Sequence, residues 1–135
     1  MSREIKKASP ILAAKAAAGV GTTQDVSNYR HIVFRVSAAL NSSLTYRFQG
    51  SVSDEAPDFS AAQSATNHWE YIETIDLQNE ASVDGDTGYA INNDTVANNC
   101  RLFRPATPFL RYVSAEVSSY TDGNVTIDVV SCDND

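Results

Sequence analysis

The sequence predicts an all-β fold: one antiparallel β-sandwich or jelly roll of about seven to eight strands, with an extended N-terminal arm. Three observations predict it. Apolar and polar residues alternate with period two in several separate runs, which is the pattern of strands buried on one face. Clusters of Asn, Asp, Gly and Ser punctuate those runs at the spacing of short strands. Finally, 42% of the 135 residues are apolar, enough for one core, because folding at this length buries roughly two-thirds of the chain's surface.

Residues 1–10 read as the arm. They are polar and basic, with Arg3, Lys6 and Lys7, and they run into Pro10 with no apolar period of their own. Ile11 to Ala18 is rich in helix formers, yet Gly19 and Gly21 follow at once and no N-cap precedes it, so it is read as a first strand.

Residues 31–38 set Ile32, Phe34, Val36 and Ala38 against Arg35 and Ser37, and residues 44–51 set Leu44, Tyr46, Phe48 and Gly50 against Thr45, Arg47, Gln49 and Ser51. With Asn41-Ser42-Ser43 between them, these two runs are expected to form a hairpin. Ser53 to Phe59 is a polar loop in which Phe59 is the expected apolar anchor. Trp69 to Leu77 alternates imperfectly, as a bulged strand would, and Asn79-Glu80 is a turn.

Asp84-Gly85-Asp86-Thr87-Gly88 and Asn92-Asn93-Asp94 are loops around a short strand at 89–91, and 101–104 is another short strand closed by Pro105 and Pro108. Phe109 to Tyr120 is a long strand with Val113, Ala115 and Val117 on one face. After Thr121-Asp122-Gly123-Asn124 it is expected to return as a second hairpin through Val125, Ile127 and Val129. The body of the domain is therefore 11–131, and 132–135 is an acidic tail left in solvent.

Composition narrows the function. Ten basic residues face seventeen acidic ones, a net charge of −7, and a phosphate backbone attracts the opposite balance, so nucleic acid is not an expected direct partner. No run approaches the ~20 apolar residues of a membrane helix. The Ala-rich run 11–20 is interrupted by Lys15 and lacks the leucines of a secretory signal. Cys100 and Cys132 are too few for a disulfide framework and lie in no zinc spacing; they are expected as reduced thiols, or as a pair if the last strand passes the 98–102 loop.

The constellations that could carry chemistry each have a blander account. His31 and His68 are the only histidines and neither lies in a nucleophile–base or metal-ligand pattern. Asp84 and Asp86 are the ingredients of a weak calcium candidate, but the run lacks the third acid and distal bidentate Glu of an EF-hand, and Asp-Gly is a common turn. The pairs Asp54/Glu55 and Glu70/Glu73 read as a solvated acidic face. The expectation is a protein without catalytic residues, resident metal or cofactor. Trp69, Tyr71, Tyr89, Tyr112 and Tyr120 could stack on sugar rings, which makes a lectin-like carbohydrate-binding module the alternative function, although aromatic residues more often fill a core.

Several stretches carry a family resemblance: Gly21 to His31, Arg47-Phe48-Gln49-Gly50-Ser51 followed by Ala56-Pro57-Asp58-Phe59, Trp69 with Ile75-Asp76-Leu77-Gln78-Asn79, and Phe109-Leu110-Arg111-Tyr112-Val113. From about Gly21 onward the chain resembles small virion structural proteins of tailed bacteriophages, the capsid cement or decoration proteins. The resemblance implies a homodimer or homotrimer, made in the host cytoplasm, that sits on the outside of the capsid and bridges major capsid protein subunits. It also implies contact residues, for which the candidates are Arg3, Lys6 and Lys7 in the arm and the pair Arg111 and Tyr112, residue types enriched at subunit interfaces.

Overall fold

The computed structural model describes residues 4–92, 95 and 99–134. Among them are twelve strands: β1 (Glu4–Lys15), β2 (Gly19–Val20), β3 (Gln24–Asp25), β4 (His31–Ala38), β5 (Ser43–Ser51), β6 (Glu70–Tyr71), β7 (Thr74–Asp76), β8 (Ala81–Val83), β9 (Tyr89–Ile91), β10 (Asn99–Pro105), β11 (Tyr112–Asp122) and β12 (Val125–Asn134). They build two antiparallel sheets. The first has the order β1-β12-β4-β10-β7-β8; the second is β2-β11-β5-β6, with β3 also pairing β11 and β9 also pairing β5. The count exceeds the expected seven or eight because six of the strands are two or three residues long, too short for alternation to be read. Asn93 and Asp94 of the expected loop after β9 lie outside the described residues.

The long strands alternate as the sequence predicts. Phe34, Val36 and Ala38 of β4, Val125, Ile127 and Val129 of β12, and Phe103 of β10 are buried against Leu44, Tyr46 and Phe48 of β5 and Val113, Ala115 and Val117 of β11. Phe34 stacks on Phe48 across the sheets with centroids 4.2 Å apart, and Phe103 tilts against Phe48 at 5.3 Å. Burying each such side chain contributes roughly 1.5–3 kcal/mol, more than a typical hydrogen bond, so these residues decide the inward face of each long strand.

Both expected hairpins are arches instead. β4 lies in the first sheet and β5 in the second, and β11 and β12 divide in the same way. Each strand pairs with a neighbour distant in sequence: β5 with β11, with Val113 opposite Gly50, and β4 with β12, with Ile127 opposite Val36. Alternation says that one face of each strand is buried. It does not say whether two successive strands share that face or turn it toward each other. The Trp69–Leu77 run is likewise no bulged strand: β6 belongs to the second sheet, β7 to the first, and the chain crosses between them at Ile72-Glu73.

The arm and tail also differ from expectation. β1 runs from Glu4 and β12 continues to Asn134, and the two zip together with Glu4 opposite Asn134, Ile5 opposite Asp133 and Lys6 opposite Cys132. Neither segment is apolar enough to announce a strand, and their ladder rests on backbone pairing at the sheet edge. Further along, register shifts at Pro10/Leu12 and Leu12/Lys15 turn both Ile11 and Leu12 inward, and bulges of this kind twist an edge strand away from its sheet. A Cβ at Gly21 would collide with the Ile11 carbonyl, so the close approach of that loop to β1 requires glycine.

The cysteines lie on either side of β4. Cys100 is opposite Ser37 and Cys132 opposite His31. The stretch of strand from His31 to Ser37 spans roughly 20 Å, well beyond the ~7 Å between Cα atoms that a disulfide can bridge.

Candidate interaction surface

The loop 52–69 and the chain at Thr22 cover the outer face of the second sheet, where Gln49 and Ser114 would otherwise meet water. Gln49 Nε2 donates to the Phe59 carbonyl at 3.0 Å, Ser51 Oγ to the His68 carbonyl at 2.7 Å, and Ser114 Oγ to the Thr22 carbonyl at 3.2 Å. Phe59 is the anchor expected of it, packed edge-on to Trp69 at 5.8 Å. Trp69 in turn meets Tyr71 at 4.9 Å and donates from Nε1 to the Ala61 carbonyl. At 5% exposure the Trp69 ring is part of a small second core rather than a platform for a sugar.

Beside it, Arg47 Nε donates to Glu116 Oε1 at 2.7 Å and Tyr71 donates from its hydroxyl to the same oxygen at 3.1 Å, while the guanidinium lies 3.6 Å over the Tyr71 ring. Burial, and after it the Glu116 charge, raises the Tyr71 hydroxyl above its ordinary pKa. Arg47 also donates to the Asp86 carbonyl at 2.7 Å. That contact docks the loop holding the two candidate calcium ligands, and Asp84 Oδ2 accepts from both the Thr87 amide and hydroxyl at 3.0 Å. The run is a self-capped turn, closed by the Gly88 amide donating to the Asp84 carbonyl at 2.9 Å. Among the described residues no three acidic, His or Cys side chains converge as metal ligands would.

Two of the candidate contact residues, Arg111 and Tyr112, share one neighbourhood. Arg111 Nη1 donates to Asp54 Oδ1 at 2.9 Å, and the Tyr112 hydroxyl donates to the Asp54 carbonyl at 3.4 Å, so the pair holds down the start of the 52–58 loop. Asp25, opposite Tyr112 in the ladder, has its carboxyl pKa lowered first by the Ser27 hydroxyl and amide and, more weakly, by the charges of Arg111 and Lys7. Lys7 is exposed on β1 of the first sheet, opposite Ser131. Arg3 and the side chain of Lys6 are outside the described residues.

Sequence reasoning missed Phe109. Expected to begin a strand, it stands before β11 with φ at +63° and 89% exposed, while its neighbours Pro105 and Leu110 are buried. A signal is present in the sequence, since Phe109-Leu110 follows Pro108 and two successive apolar residues cannot both face one side of a strand. Phe109 rims a groove of about 350 Å³ to which Arg30, His31, Ile32, Arg104 and Pro108 also contribute. His31 thus sits at a surface groove, and His68 is exposed with its carbonyl accepting from Ser51 and Ser53.

No protein-family model and no curated protein matches the sequence. Among solved structures the chain is similar to a protein described as SPBc2 prophage-derived protein YomS, with a TM-score of 0.68 and 14% identity, over 96% of this chain and 95% of that one. The two-sheet sandwich is therefore a fold this chain shares along nearly its whole length with a prophage-derived protein.

Proposed function

We propose that this chain is a structural virion protein of a tailed phage: it binds the outer surface of the capsid and stabilises the shell by bridging major capsid protein subunits, without catalysis or a cofactor. The observation that carries the reading is the sandwich shared over 96% of the chain with a prophage-derived protein. It is supported by the way the surface is built. Arg47, Glu116, Asp84, Arg111 and Tyr112 use their polar atoms to fix loops, which gives a rigid surface suited to complementarity. A ligand that binds the assembled shell and not its separated parts stabilises the shell by mass action, and repetition over many sites lets modest affinity per copy suffice.

Incubating the purified chain with capsids of the encoding phage assembled without it, followed by sedimentation, tests the reading. Co-pelleting that saturates, with a higher melting temperature of the shell, is expected; a chain that stays in the supernatant at every concentration overturns it.

A further inference from the structure

β1 closes the first sheet as its outermost strand, and its two halves are held in different ways. From Pro10 onward, side chains and loops anchor it. Ile11 and Leu12 are buried, the Thr22 amide donates to the Ile11 carbonyl at 2.9 Å, Gln24 Nε2 donates to the Pro10 carbonyl at 2.7 Å, and the Ala14 amide donates to Thr126 Oγ1 at 3.0 Å. Ahead of Pro10, Lys7 and Ala8 are exposed and Ser9 is buried, and the attachment runs through the backbone ladder to β12 from Glu4 to Ser9. Among the described side chains of that half, none seals apolar surface from water. The boundary is sharp, because proline has no amide to donate and the register shifts just after it.

The two strands of this ladder also differ as edges. β1 carries Lys6, Lys7, Pro10 and two register shifts, and lysines, proline and bulges are the features that keep an edge strand from accepting another strand. Beneath it, residues 129–132 of β12 read Val-Val-Ser-Cys, a stretch without charge or proline in which the β-branched valines favour strand. A strand of that kind at a sheet edge is a template for pairing. β1 is therefore the cover of a receptive edge, and the half that covers residues 129–132 is the half without apolar anchors. Segments held by solvent-exposed backbone bonds and few buried apolar contacts open at lower free energy than the core they lie on.

We infer that residues 4–10 are a strap: it swings open about Pro10 while the sandwich stays folded, and its opening turns residues 129–132 of β12 into a strand-accepting edge. The segment that fits this edge best is the strap itself, whose register on β12 is already set, so a free peptide of the same sequence competes with it for the open form. Such a peptide binds more weakly than its intrinsic affinity by the fraction of chains that are open. The inference stands apart from the virion role, because neither the opening nor the peptide binding involves a capsid.

Hydrogen exchange of the full chain, compared with a version whose strap can be stapled shut, tests it. Lys6 is directly opposite Cys132, and facing positions of a ladder lie within reach of a disulfide, so Lys6→Cys in a Cys100→Ser background forms the staple on oxidation and releases it on reduction. In the parent chain, amides of residues 5–9 are expected to exchange at least roughly tenfold faster than those of β4 and β11, through local opening. Oxidation of the stapled variant is expected to slow residues 5–9 at least roughly tenfold and leave β4 and β11 unchanged, and reduction to restore the parent's rates. A fluorescent peptide with the sequence of residues 4–12 is expected to bind the reduced variant saturably and the oxidised one not at all. Exchange of residues 5–9 at the rate of β4 and β11, a staple without effect on that exchange, or peptide binding that is absent from both forms or equal in both overturns the strap.

Discussion

Ser42 and Asn124 join the two arches that carry the chain between sheets. Ser42 Oγ, fully buried, donates to the Ala39 carbonyl at 2.6 Å, lies 3.2 Å from the Asn124 carbonyl and accepts from the Asn124 amide at 3.3 Å. The adjoining Gly123 has φ of +84°, and a Cβ there would run into Ser42 Oγ. The crossing of β4 to β5 and that of β11 to β12 are therefore one interlocked corner.

Ser42→Ala leaves the Asn124 amide without its acceptor in a buried corner, and a stability loss of about 1–3 kcal/mol is expected in denaturant unfolding. Gly123→Ala meets both the collision and the left-handed backbone and is expected to cost more than Ser42→Ala. The reverse order contradicts the interlock.

This corner also marks what alternation encodes and what it leaves open. The inward residues Phe34, Val36, Tyr46, Phe48, Val113 and Ile127 are legible in the sequence because burial imposes period two on each strand separately. Their pairing partners are not, since the choice between hairpin and arch lies in a buried serine hydroxyl and a left-handed glycine, and polar turn residues suit either. The β1–β12 edge is hidden because backbone pairing leaves no apolar signature in Glu4 to Lys7. Of the candidate surface, Arg111 and Tyr112 can be picked out by residue type, whereas the exposed Phe109 is absorbed into the strand that follows it.

The Asp76–Arg101 pair is nearly sealed, with side chains 3% and 16% exposed and 3.0 Å between them. Asp76 also accepts from the Gln78 amide and the Asn79 side chain. Asp76→Ala leaves the guanidinium, beside Tyr89, with the neutral Gln78 Oε1 in place of its counter-charge, and a loss of about 3–5 kcal/mol is expected by chemical denaturation. A loss below about 1 kcal/mol would show that water reaches Arg101.

Phe59 and Trp69 lie apart from the main core, so Phe59→Ala is expected to open the 52–69 loop before the sandwich. Hydrogen exchange checks this. Amides of the loop should lose protection while those of β4, β5, β11 and β12 keep theirs; uniform loss across all strands would mean that the loop and the sandwich unfold as one unit.

Acid should destabilise the protein partly through three turn carboxylates. Asp25 and Asp58 are held below their ordinary pKa first by the hydroxyls and then by the amides of Ser27 and Ser60, and Asp84 first by the Thr87 amide and then by its hydroxyl. A carboxyl whose pKa is lower in the folded than in the unfolded chain contributes stability that is fully present above the unfolded value of 3.8 and is lost as pH falls through the folded one. The denaturation midpoint measured against pH should therefore fall below about pH 4, and the triple variant Asp25→Asn/Asp58→Asn/Asp84→Asn should show a shallower fall. An equally steep fall in the triple variant would place the acid sensitivity in other carboxylates.

A cryo-electron-microscopy reconstruction of the virion of the tailed phage proposed to encode this chain tests the central claim most directly. The account predicts density matching the two-sheet sandwich on the outer surface of the capsid, repeated at equivalent lattice positions and touching more than one major capsid protein subunit. A capsid whose outer surface carries no such density, or a sandwich found only on the tail, would contradict it.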